Sequence, residues 1–312
     1  MHEDVPFCIA VDWGTSSYRS WLLSISGQVL GHFSGPYGIR QIGTRPFAEI
    51  LAETRQALGP QAAGLPVIMC GMIGSAQGWQ DAGYLQKTAG IAELAAAAMP
   101  IEGKADIWII PGVQSSSADG LADVMRGEET ALAGIIATRH ITDGLFCLPG
   151  THSKWVTIEA GQITSLSTFM TGEIFDLMRR HSILSPLIDP AVDSAEPDLQ
   201  GFTDGLQLAA GELGMLHHLF AVRAGILTGK FAAGSASSIL SGLSIGSEIK
   251  PVAEMARAQK LPVYLNATGV MARLYQLALT HFDITYQLID AEEASRAGLY
   301  EIACHLLAEP VA

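Results

Sequence analysis

The alternation of apolar and polar residues near the N-terminus predicts three short β-strands joined by tight turns. Apolar residues dominate the segments Phe7–Trp13, Ser17–Ser24 and Gln28–Phe33. Glycine and short polar residues separate these segments, and such punctuation is typical of hairpin turns. We therefore expect an antiparallel meander at the start of the chain.

The same pattern returns in the second half of the chain. The stretch FCLPGTHSKW begins at residue 146 and repeats the order of FCIAVDWGTSSYRSW, which begins at residue 7. The turn glycines Gly14 and Gly150 are 136 residues apart, and Gly27 and Gly161 are 134 residues apart. A repeat of this kind predicts a duplicated architecture. The strands predicted in the second copy are Leu145–Leu148, Lys154–Glu159 and Gln162–Thr168.

Short apolar strands alternate with longer segments of helical periodicity in the rest of the chain, which is typical of α/β proteins. The predicted strands are Val67–Cys70, Asp106–Ile110, Pro262–Leu265 and Ile284–Ile289. The predicted helices are Pro46–Leu58, Ile91–Met99, Leu121–Ala137, Glu173–Leu184, Leu206–Ala224, a helix ending at Ala258, Val270–Leu279 and Ala291–Leu307. The predicted loops are Gly71–Leu85, Gln114–Asp119, Ile188–Thr203 and the Ser- and Gly-rich stretch Ser235–Ile249.

Composition and charge restrict the classes of function. The chain has 312 residues, is 49% hydrophobic and carries a formal charge of −13. Its length suffices for two lobes with their own cores, and its negative charge argues against nucleic-acid binding, which needs a basic surface. No apolar run approaches the ~20 residues of a membrane-spanning helix, and the first residues lack the features of a signal peptide. We expect a cytoplasmic protein that binds neither nucleic acid nor membrane.

The cysteines and histidines do not indicate a metal site. Cys8, Cys70, Cys147 and Cys304 stand in apolar surroundings without a CxxC pair. Free thiols buried in a reducing compartment are the simplest interpretation. The one adjacent histidine pair, His217-His218, falls inside a helical pattern, which favours packing or exposure over zinc ligation.

The first turn carries the chemistry expected of a phosphate site. Gly14 lets the backbone bend sharply, and Thr15 and Ser16 offer hydroxyls and N–H groups in one small arc that suits an anion. Asp12 leads into this turn, where a carboxylate could hold a hydrated Mg²⁺ against a phosphate. An ordinary hairpin turn is the alternative, and the second copy of the motif favours the phosphate site.

Four motifs, taken in chain order, resemble the 2-dehydro-3-deoxygalactonokinase family of the sugar kinase, Hsp70 and actin superfamily. They are DWGTSSYRSW, GMIGSAQGWQDAGYL, DVMRGEETALAG and LPGTHSKW. The resemblance implies an α/β fold of two similar ribonuclease H-like (actin-like ATPase) lobes with a nucleotide cleft between them. It implies an N-terminal lobe over 1–118 with the acceptor site and a C-terminal lobe over 119–312 with the adenosine site. It leaves open that the last helix packs on the N-terminal lobe.

The resemblance assigns ATP to the two turns and to a third segment. Gly150, Thr151 and His152 match the first turn and would form the second phosphate loop. Lys154 follows this loop and could contact a phosphate as a point charge, although an exposed strand lysine is the competing interpretation. The turn that ends at Gly269 joins a predicted strand to a helix N-terminus, an arrangement that suits a nucleotide.

Two carboxylates are candidates for the general base. On the predicted helix from residue 121, Glu128 falls on the apolar stripe, where a carboxylate is costly unless it is paired or functional. Gly127-Glu128-Glu129 is similar to a Gly-Asp-Gln motif that opens a helix and carries the base in many sugar kinases, so the helix could begin near Gly127. Because Glu replaces Asp here, Asp123 remains the second candidate.

The predicted loop over 71–85 suits a sugar-like acceptor. The amide of Gln77 can bind hydroxyls, and the indole of Trp79 can cover C–H surface, although Trp79 could instead fill the core. The acceptor implied by the resemblance is a carboxylate, for which Arg126 and Arg40 are the candidate cations. Arg126 could also pair with Asp123 on the surface.

The implied activity is phosphorylation of the 6-hydroxyl of 2-dehydro-3-deoxy-D-galactonate by ATP and Mg²⁺ in galactonate catabolism. One alternative is a kinase of the same superfamily that acts on another sugar or sugar acid. The other is a non-catalytic actin-like protein that binds ATP. A homodimer remains an open expectation.

Overall fold

The structure, a computed structural model, describes residues 5–86, 90–117, 119–188 and 196–308. The strands are β1 (Pro6–Trp13), β2 (Tyr18–Ser24), β3 (Val29–Gly35), β4 (Val67–Cys70), β5 (Tyr84–Gln86), β6 (Met99–Ile101), β7 (Lys104–Ile109), β8 (Gly112–Ser116), β9 (Ala122–Met125), β10 (Gly144–Leu148), β11 (Ser153–Glu159), β12 (Gln162–Phe169), β13 (Val263–Asn266) and β14 (Tyr286–Ile289). The helices are α1 (Phe47–Leu58), α2 (Ile91–Ala96), α3 (Glu128–Arg139), α4 (Thr171–His181), α5 (Leu199–Ala210), α6 (Gly214–Leu227), α7 (Ala236–Gln259), α8 (Gly269–His281) and α9 (Ala291–Leu307). None of these described helices is both long and apolar enough to cross a membrane.

The two large sheets repeat one strand order. The first sheet has the order β3-β2-β1-β4-β7-β6, and the second has the order β12-β11-β10-β13-β14. In the first, β1 pairs antiparallel with β2 and parallel with β4. In the second, β10 pairs parallel with β13, and β13 pairs parallel with β14. This repeated order confirms the predicted α/β fold with two ribonuclease H-like sheets. A small third sheet has the order β5-β8-β9.

The chain divides into two compact units. Unit 1 comprises Met1–Asp143, Thr157–Leu166 and Asp290–Ala312, and unit 2 comprises Gly144–Val156 and Ser167–Ile289. Both α3 and α9 therefore lie in unit 1, whereas the predicted boundary between residues 118 and 119 would assign them to the second lobe.

Glycine contacts explain why α3 and α9 belong to the same unit. A Cβ atom on Gly298 of α9 would lie 1.9 Å from the carbonyl oxygen of Thr130, and one on Gly134 of α3 would lie 2.2 Å from that of Ala294. Only glycine permits two helix backbones to approach so closely. The last helix is thereby joined to α3, and its predicted bounds, Ala291–Leu307, are confirmed.

Unit 2 is built around α7, which runs for 24 residues. It packs closely on α5, since a Cβ atom on Gly242 would lie 2.0 Å from the carbonyl oxygen of Phe202. The side chains of Trp155, Phe202 and Tyr275 are fully buried in the adjoining core. The predicted loop over residues 235–249 is wrong because its Ile and Leu residues recur at helical spacing and face this core.

Three further predicted elements differ from the structure. The predicted helix over residues 121–137 is a strand, β9, followed by α3, because Gly127 adopts a φ of +107° that ends the first element. The predicted loop over 114–119 contains the end of β8, which is held by pairing with β9. The predicted helix over 206–224 is two helices, separated near Gly214 with its φ of +76°. In each case a left-handed glycine or a distant strand partner overrides local periodicity.

The loop predicted over 188–203 is also corrected at its end. Asp198 caps α5 by accepting a hydrogen bond from the backbone N–H of Gln200, so the helix begins at Leu199. Residues 189–195 of that prediction lie outside the described residues.

The prediction of buried thiols is confirmed for three of the four cysteines. Cys8, Cys70 and Cys147 are buried and free, and Cys304 is half-buried and free. Burial raises the pKa of the Cys8 thiol to about 12, so this thiol stays protonated and inert. His218 is buried, as the packing interpretation predicts, and the described residues contain no group of three His, Cys, Asp or Glu that could hold a metal.

Candidate active site

Backbone hydrogen bonds, both within the turn and from a later segment, hold the first turn. The N–H of Gly14 donates to the carbonyl oxygen of Ser17, which closes the turn between β1 and β2. The N–H groups of Ile39 and Arg40 donate to the carbonyl oxygens of Gly14 and Thr15. These carbonyls are thus engaged by the following segment, while Thr15 is half-buried and Ser16 is exposed. A turn whose carbonyls face inward and whose hydroxyls face solvent suits an anion.

Asp12 is paired with a cation that the motif analysis did not single out. Arg19 Nη2 donates to Asp12 Oδ2 at 2.6 Å, and the two residues stand opposite each other in the β1–β2 register. Arg19 Nε is buried and has no hydrogen-bond partner among the described residues. The predicted hairpin could have indicated this pair, because residues seven apart on either side of a tight turn can lie opposite each other on the two strands.

The second turn is held by the start of α4. The N–H of Glu173 donates to the carbonyl oxygen of Thr151. A Cβ atom on Gly172 would lie only 2.7 Å from the carbonyl oxygen of Gly150. His152 Nε2 lies 2.5 Å from a carboxylate oxygen of Glu173. Gly150, Thr151 and His152 are therefore gathered at one helix N-terminus, where N–H groups and the helix dipole favour an anion.

Lys154 lies inside unit 2 rather than on its surface. The residue is 6% exposed, and its Nζ donates to Thr168 Oγ1 at 3.0 Å. The interpretation of Lys154 as an exposed strand lysine is therefore wrong. A buried ammonium near a turn that suits an anion favours the charged-partner role.

One buried carboxylate ties the second turn to three helices. Glu248 of α7 is 2% exposed. Its Oε1 accepts from Ser153 Oγ and Trp155 Nε1, each at 2.7 Å, and its Oε2 accepts from Thr171 Oγ1 and Tyr275 OH. Burial raises the pKa of Glu248, and the four donors oppose that rise. Sequence reasoning missed this residue, although a single acid inside the stretch ILSGLSIGSEIKP is the available signal.

Unit 2 also contains a cavity beside the second turn. Its volume is about 300 Å³, and its walls combine apolar side chains with serine hydroxyls. Gly150 and Gly172 meet it from the turn, and Met271 and Leu274 from α8. Gly269, the predicted nucleotide contact, is exposed at the first position of α8 with a φ of +58°, two residues before the cavity wall. The exposed wall of the cavity is mostly apolar, although Arg179, Glu196 and Asp198 also line it, and such a wall suits a flat heterocyclic ligand.

Three backbone segments of unit 1 converge at Gly71. A Cβ atom on Gly71 would lie 2.8 Å from the carbonyl oxygen of Trp13, and one on Gly127 would lie 3.1 Å from the Cα of Gly71. The end of β1, the start of the predicted acceptor loop and the start of α3 therefore meet. Gly71 and Gly127 both have positive φ, at +92° and +107°.

The two candidate bases occupy different positions. Glu128 is half-buried at the start of α3, and its Oε2 accepts from the backbone N–H of Arg126 at 3.0 Å. Asp123 lies on β9 and lines a separate open groove of unit 1 with Gln114 and Ser116. Glu128 is thus the candidate that stands at the convergence of the three segments.

The fully buried carboxyl beside Glu128 is Glu129. It is 1% exposed, and both of its carboxylate oxygens accept from the N–H of Gly127. Burial, reinforced by neighbouring Glu128, raises the pKa of Glu129 to about 8. The stripe that predicted a buried carboxylate was one residue out of phase, because α3 begins at Glu128 and not at Leu121.

Arg126 holds the predicted acceptor loop in place. The Arg126 side chain is 4% exposed, and its Nη2 donates to the carbonyl oxygen of Gly83 at 3.0 Å. Its guanidinium lies over the ring of Tyr84, 4.3 Å from the centroid, and 3.7 Å from an oxygen of Asp81. The predicted surface pair with Asp123 is not what holds this side chain. Arg126 therefore supports the loop from behind.

The other predicted acceptor contacts differ in exposure. Trp79 is half-buried, packs against the core of unit 1 and stacks on Phe47 at a centroid distance of 6.2 Å. Gln77 and Arg40 are exposed. One face of the Trp79 indole therefore packs on the core, as the alternative interpretation predicts.

The raised pKa of Glu129 predicts a pH-dependent stability. Between its ordinary value of 4.5 and about 8, the folded protein retains a proton on Glu129 that the unfolded chain has lost. The free energy of unfolding therefore falls as pH rises through this window. Glu129→Gln cannot ionise, so we expect its stability relative to the natural chain to increase from pH 5 to pH 8, by up to a few kcal/mol.

Urea unfolding at several pH values measures this difference. Glu102→Gln, which changes an exposed glutamate of the same unit, is the matched control and should show a flat difference. A flat difference for Glu129→Gln as well would contradict the raised pKa.

Comparison with known proteins identifies the family. Residues 12–302 match the family described as 2-keto-3-deoxy-galactonokinase. A probable 2-dehydro-3-deoxygalactonokinase of Rhizobium meliloti (strain 1021) is 40% identical over 293 residues, covering 93% of this chain and 94% of the relative. The 2-dehydro-3-deoxygalactonokinase of Escherichia coli (strain K12) is 33% identical over 295 residues, covering 95% and 97%.

A solved structure agrees with these relatives. The crystal structure of a Sinorhizobium meliloti protein provisionally described as a 2-dehydro-3-deoxygalactonokinase superposes with a TM-score of 0.85 at 38% identity, covering 97% of this chain and all of that one. The resemblance drawn from the four motifs is thereby confirmed. This chain belongs to the 2-keto-3-deoxy-galactonokinase family.

Proposed function

We propose that this protein transfers the γ-phosphoryl group of ATP to the 6-hydroxyl of 2-dehydro-3-deoxy-D-galactonate. Membership of the kinase family supports the reaction. The observation that carries the proposal is the convergence of Trp13, Gly71 and Gly127, which brings the first phosphate turn, the acceptor loop and a carboxylate together within unit 1.

Unit 2 supplies the nucleotide contacts in this proposal. Gly150, Thr151 and His152 bind phosphate oxygens through N–H and hydroxyl groups, and Lys154 adds positive charge. The cavity beside Gly150 accepts the adenine, with the turn at Gly269 near the ribose. Glu173 and Glu248 anchor the turn at residues 150–152. This anchoring supports its proposed role in phosphate binding, since a preorganised turn loses little conformational entropy when it binds phosphate.

Unit 1 supplies the groups at the transferred phosphate. Gly14, Thr15 and Ser16 contact its oxygens, and the unpartnered Nε of Arg19 is a further donor. Asp12 suits Mg²⁺, because this ion is usually held by one or two carboxylates together with substrate phosphates and waters. When bound, the ion neutralises phosphate charge. Because Arg19 already engages Asp12 Oδ2, Asp12 would share its carboxylate between this cation and the ion.

Glu128 acts as the general base. The 6-hydroxyl of the acceptor gives its proton to Glu128 as its oxygen attacks the γ-phosphorus, and the bond to the bridging oxygen breaks to release ADP. Asp123 is the second candidate. Most of the rate comes from positioning and charge stabilisation, because phosphoryl transfer asks little covalent chemistry of the protein.

The acceptor is oriented by the loop that Arg126 fastens. Gln77 hydrogen-bonds its hydroxyls, and the free face of Trp79 covers its carbon chain. Arg40 is the preferred partner of the acceptor carboxylate, because it is exposed and its backbone N–H is bonded to the first turn. The buried guanidinium of Arg126 is the second candidate, and its Nε and Nη1 have no partners in the described part of the chain.

The acceptor is tested by measuring ADP release with 2-dehydro-3-deoxygalactonate, 2-dehydro-3-deoxygluconate, galactose and glycerol side by side. We expect turnover with the first to exceed that with the neutral compounds by 10²-fold or more, since a site built for a carboxylate rejects a ligand that lacks one. Turnover on a neutral sugar would be consistent with a kinase but would contradict 2-dehydro-3-deoxy-D-galactonate as its acceptor. ATP binding without turnover on any acceptor would favour a non-catalytic protein.

The base is tested with Glu128→Gln. This variant keeps the shape of the side chain but cannot accept the proton, so we expect kcat to fall by about 10²-fold or more while the KM for ATP changes little. Asp123→Asn is the matched control and should retain most of the turnover. The opposite pattern, with Glu128→Gln active and Asp123→Asn inactive, would transfer the role to Asp123.

A further inference from the structure

Helix α6 carries an apolar stripe on its exposed side. Four residues at or within the helix are 60–90% exposed: Leu213 at 72%, Leu216 at 88%, Phe220 at 61% and Leu227 at 63%. The side chain of Ile183 is 56% exposed. Ile183 is close to the helix, since Arg223 Nη1 donates to its carbonyl oxygen at 2.9 Å. We call these five side chains the α6 stripe. Isolated exposed leucines are ordinary, whereas a contiguous row on one helix indicates a binding surface.

The opposite side of α6 is already committed to the core of unit 2. Val222 is fully buried, and Leu219 and Ile226 pack against the same cluster. The helix is therefore apolar on both sides, a pattern typical of helices that are covered on both sides in the final assembly.

We propose that the α6 stripe is the surface through which two copies of this chain pair, with the two α6 helices antiparallel across a two-fold axis. The helix members of the stripe, at residues 213, 216, 220 and 227, follow heptad spacing with Arg223 at the intervening position, and this is the repeat that packs one helix against another.

The spacing is self-complementary about Phe220. Leu213 and Leu227 are each seven residues from Phe220, so antiparallel pairing sets Leu213 of one copy against Leu227 of the other and Phe220 against itself. Leu216 and Arg223, four and three residues from the centre, then face each other. A two-fold interface requires that one patch match itself in this manner.

Charge favours a second copy over other occupants. The helix has no acidic residue, and Arg223 is its sole Lys or Arg, so two chains of charge −13 meet there with little repulsion. Exposed Glu212 precedes the stripe and exposed Lys230 follows it, so antiparallel pairing brings opposite charges together at both ends. An anionic membrane surface would require a cluster of basic residues, which this face lacks.

The area also agrees with pairing. The five side chains expose on the order of 600 Å² of apolar surface, the upper end for a patch on a monomer. A stable interface buries about 800 Å² on each partner, which the stripe and its polar border together approach.

Sedimentation velocity tests the proposal on the full chain. We expect the natural protein to sediment in the micromolar range with twice the 33.0 kDa chain mass. Phe220→Glu should weaken pairing by about 100-fold or more, because the proposed arrangement sets Phe220 against itself and two carboxylates would then face each other in the seam. Leu277→Glu, which changes an exposed leucine of α8 in the same unit, is the control and should remain a dimer. Melting temperatures close to that of the natural protein establish that both variants are folded.

A charge swap tests the antiparallel arrangement. Glu212→Lys and Lys230→Glu should each weaken pairing, and the double variant should restore it, since the two charges then exchange places. A natural protein that is monomeric throughout the micromolar range would overturn the proposal, whatever else binds the stripe. A dimer that survives Phe220→Glu would also overturn it, by requiring another surface.

Discussion

The close backbone approach at Gly71 is the constraint on which the candidate active site depends. A side chain on Gly71 would collide with the backbone of Trp13, and a side chain on Gly127 would press against the Cα atom of Gly71. The central strands β1 and β4 therefore end beside the first residue of α3. This contact fixes the spacing of the first turn, the predicted acceptor loop and Glu128. Positioning of this kind is the largest contribution a kinase fold makes to phosphoryl transfer.

In unit 2 the second turn is held in place by a buried carboxylate, and not by a close approach at a glycine. Glu248 accepts four hydrogen bonds from the strand after the second turn, from α4 and from α8. A buried carboxylate is costly unless its oxygens are fully satisfied, and here each oxygen has two donors. The network makes the geometry of the turn depend on the packing of the whole unit. Two sheets with one strand order thus support their turns by different physical means.

Local sequence patterns predicted the repeated meander and the last helix well. Val67–Cys70 and Ala291–Leu307 match their predicted bounds, because a short apolar run and a long amphipathic repeat are strong signals. Periodicity failed at residues 121–137, where the apolar stripe that includes Leu121 and Val124 spans a strand and a helix, and these two residues are exposed. The break depends on the left-handed conformation of Gly127, which apolar spacing does not encode.

The sequence singled out the turns of the candidate site but not the residues that support them. Gly14, Thr15, Gly150 and Thr151 stand out because small polar residues in a tight turn have a direct chemical meaning. Arg19, Glu129 and Glu248 were missed because their roles arise from strand register and from helix packing between residues far apart in sequence. Arg126 was found for its charge, yet its buried contacts with the acceptor loop become apparent only in three dimensions.

The most direct test of this account is backbone hydrogen exchange measured with and without a non-hydrolysable ATP analogue. Phosphate binding by the two turns predicts slower exchange at residues 15 and 16 in unit 1 and at residues 151–153 in unit 2, since their N–H groups would become hydrogen-bonded. Saturating binding of the analogue with unchanged exchange in both turns would contradict the assignment of phosphate sites on which the proposed kinase mechanism depends.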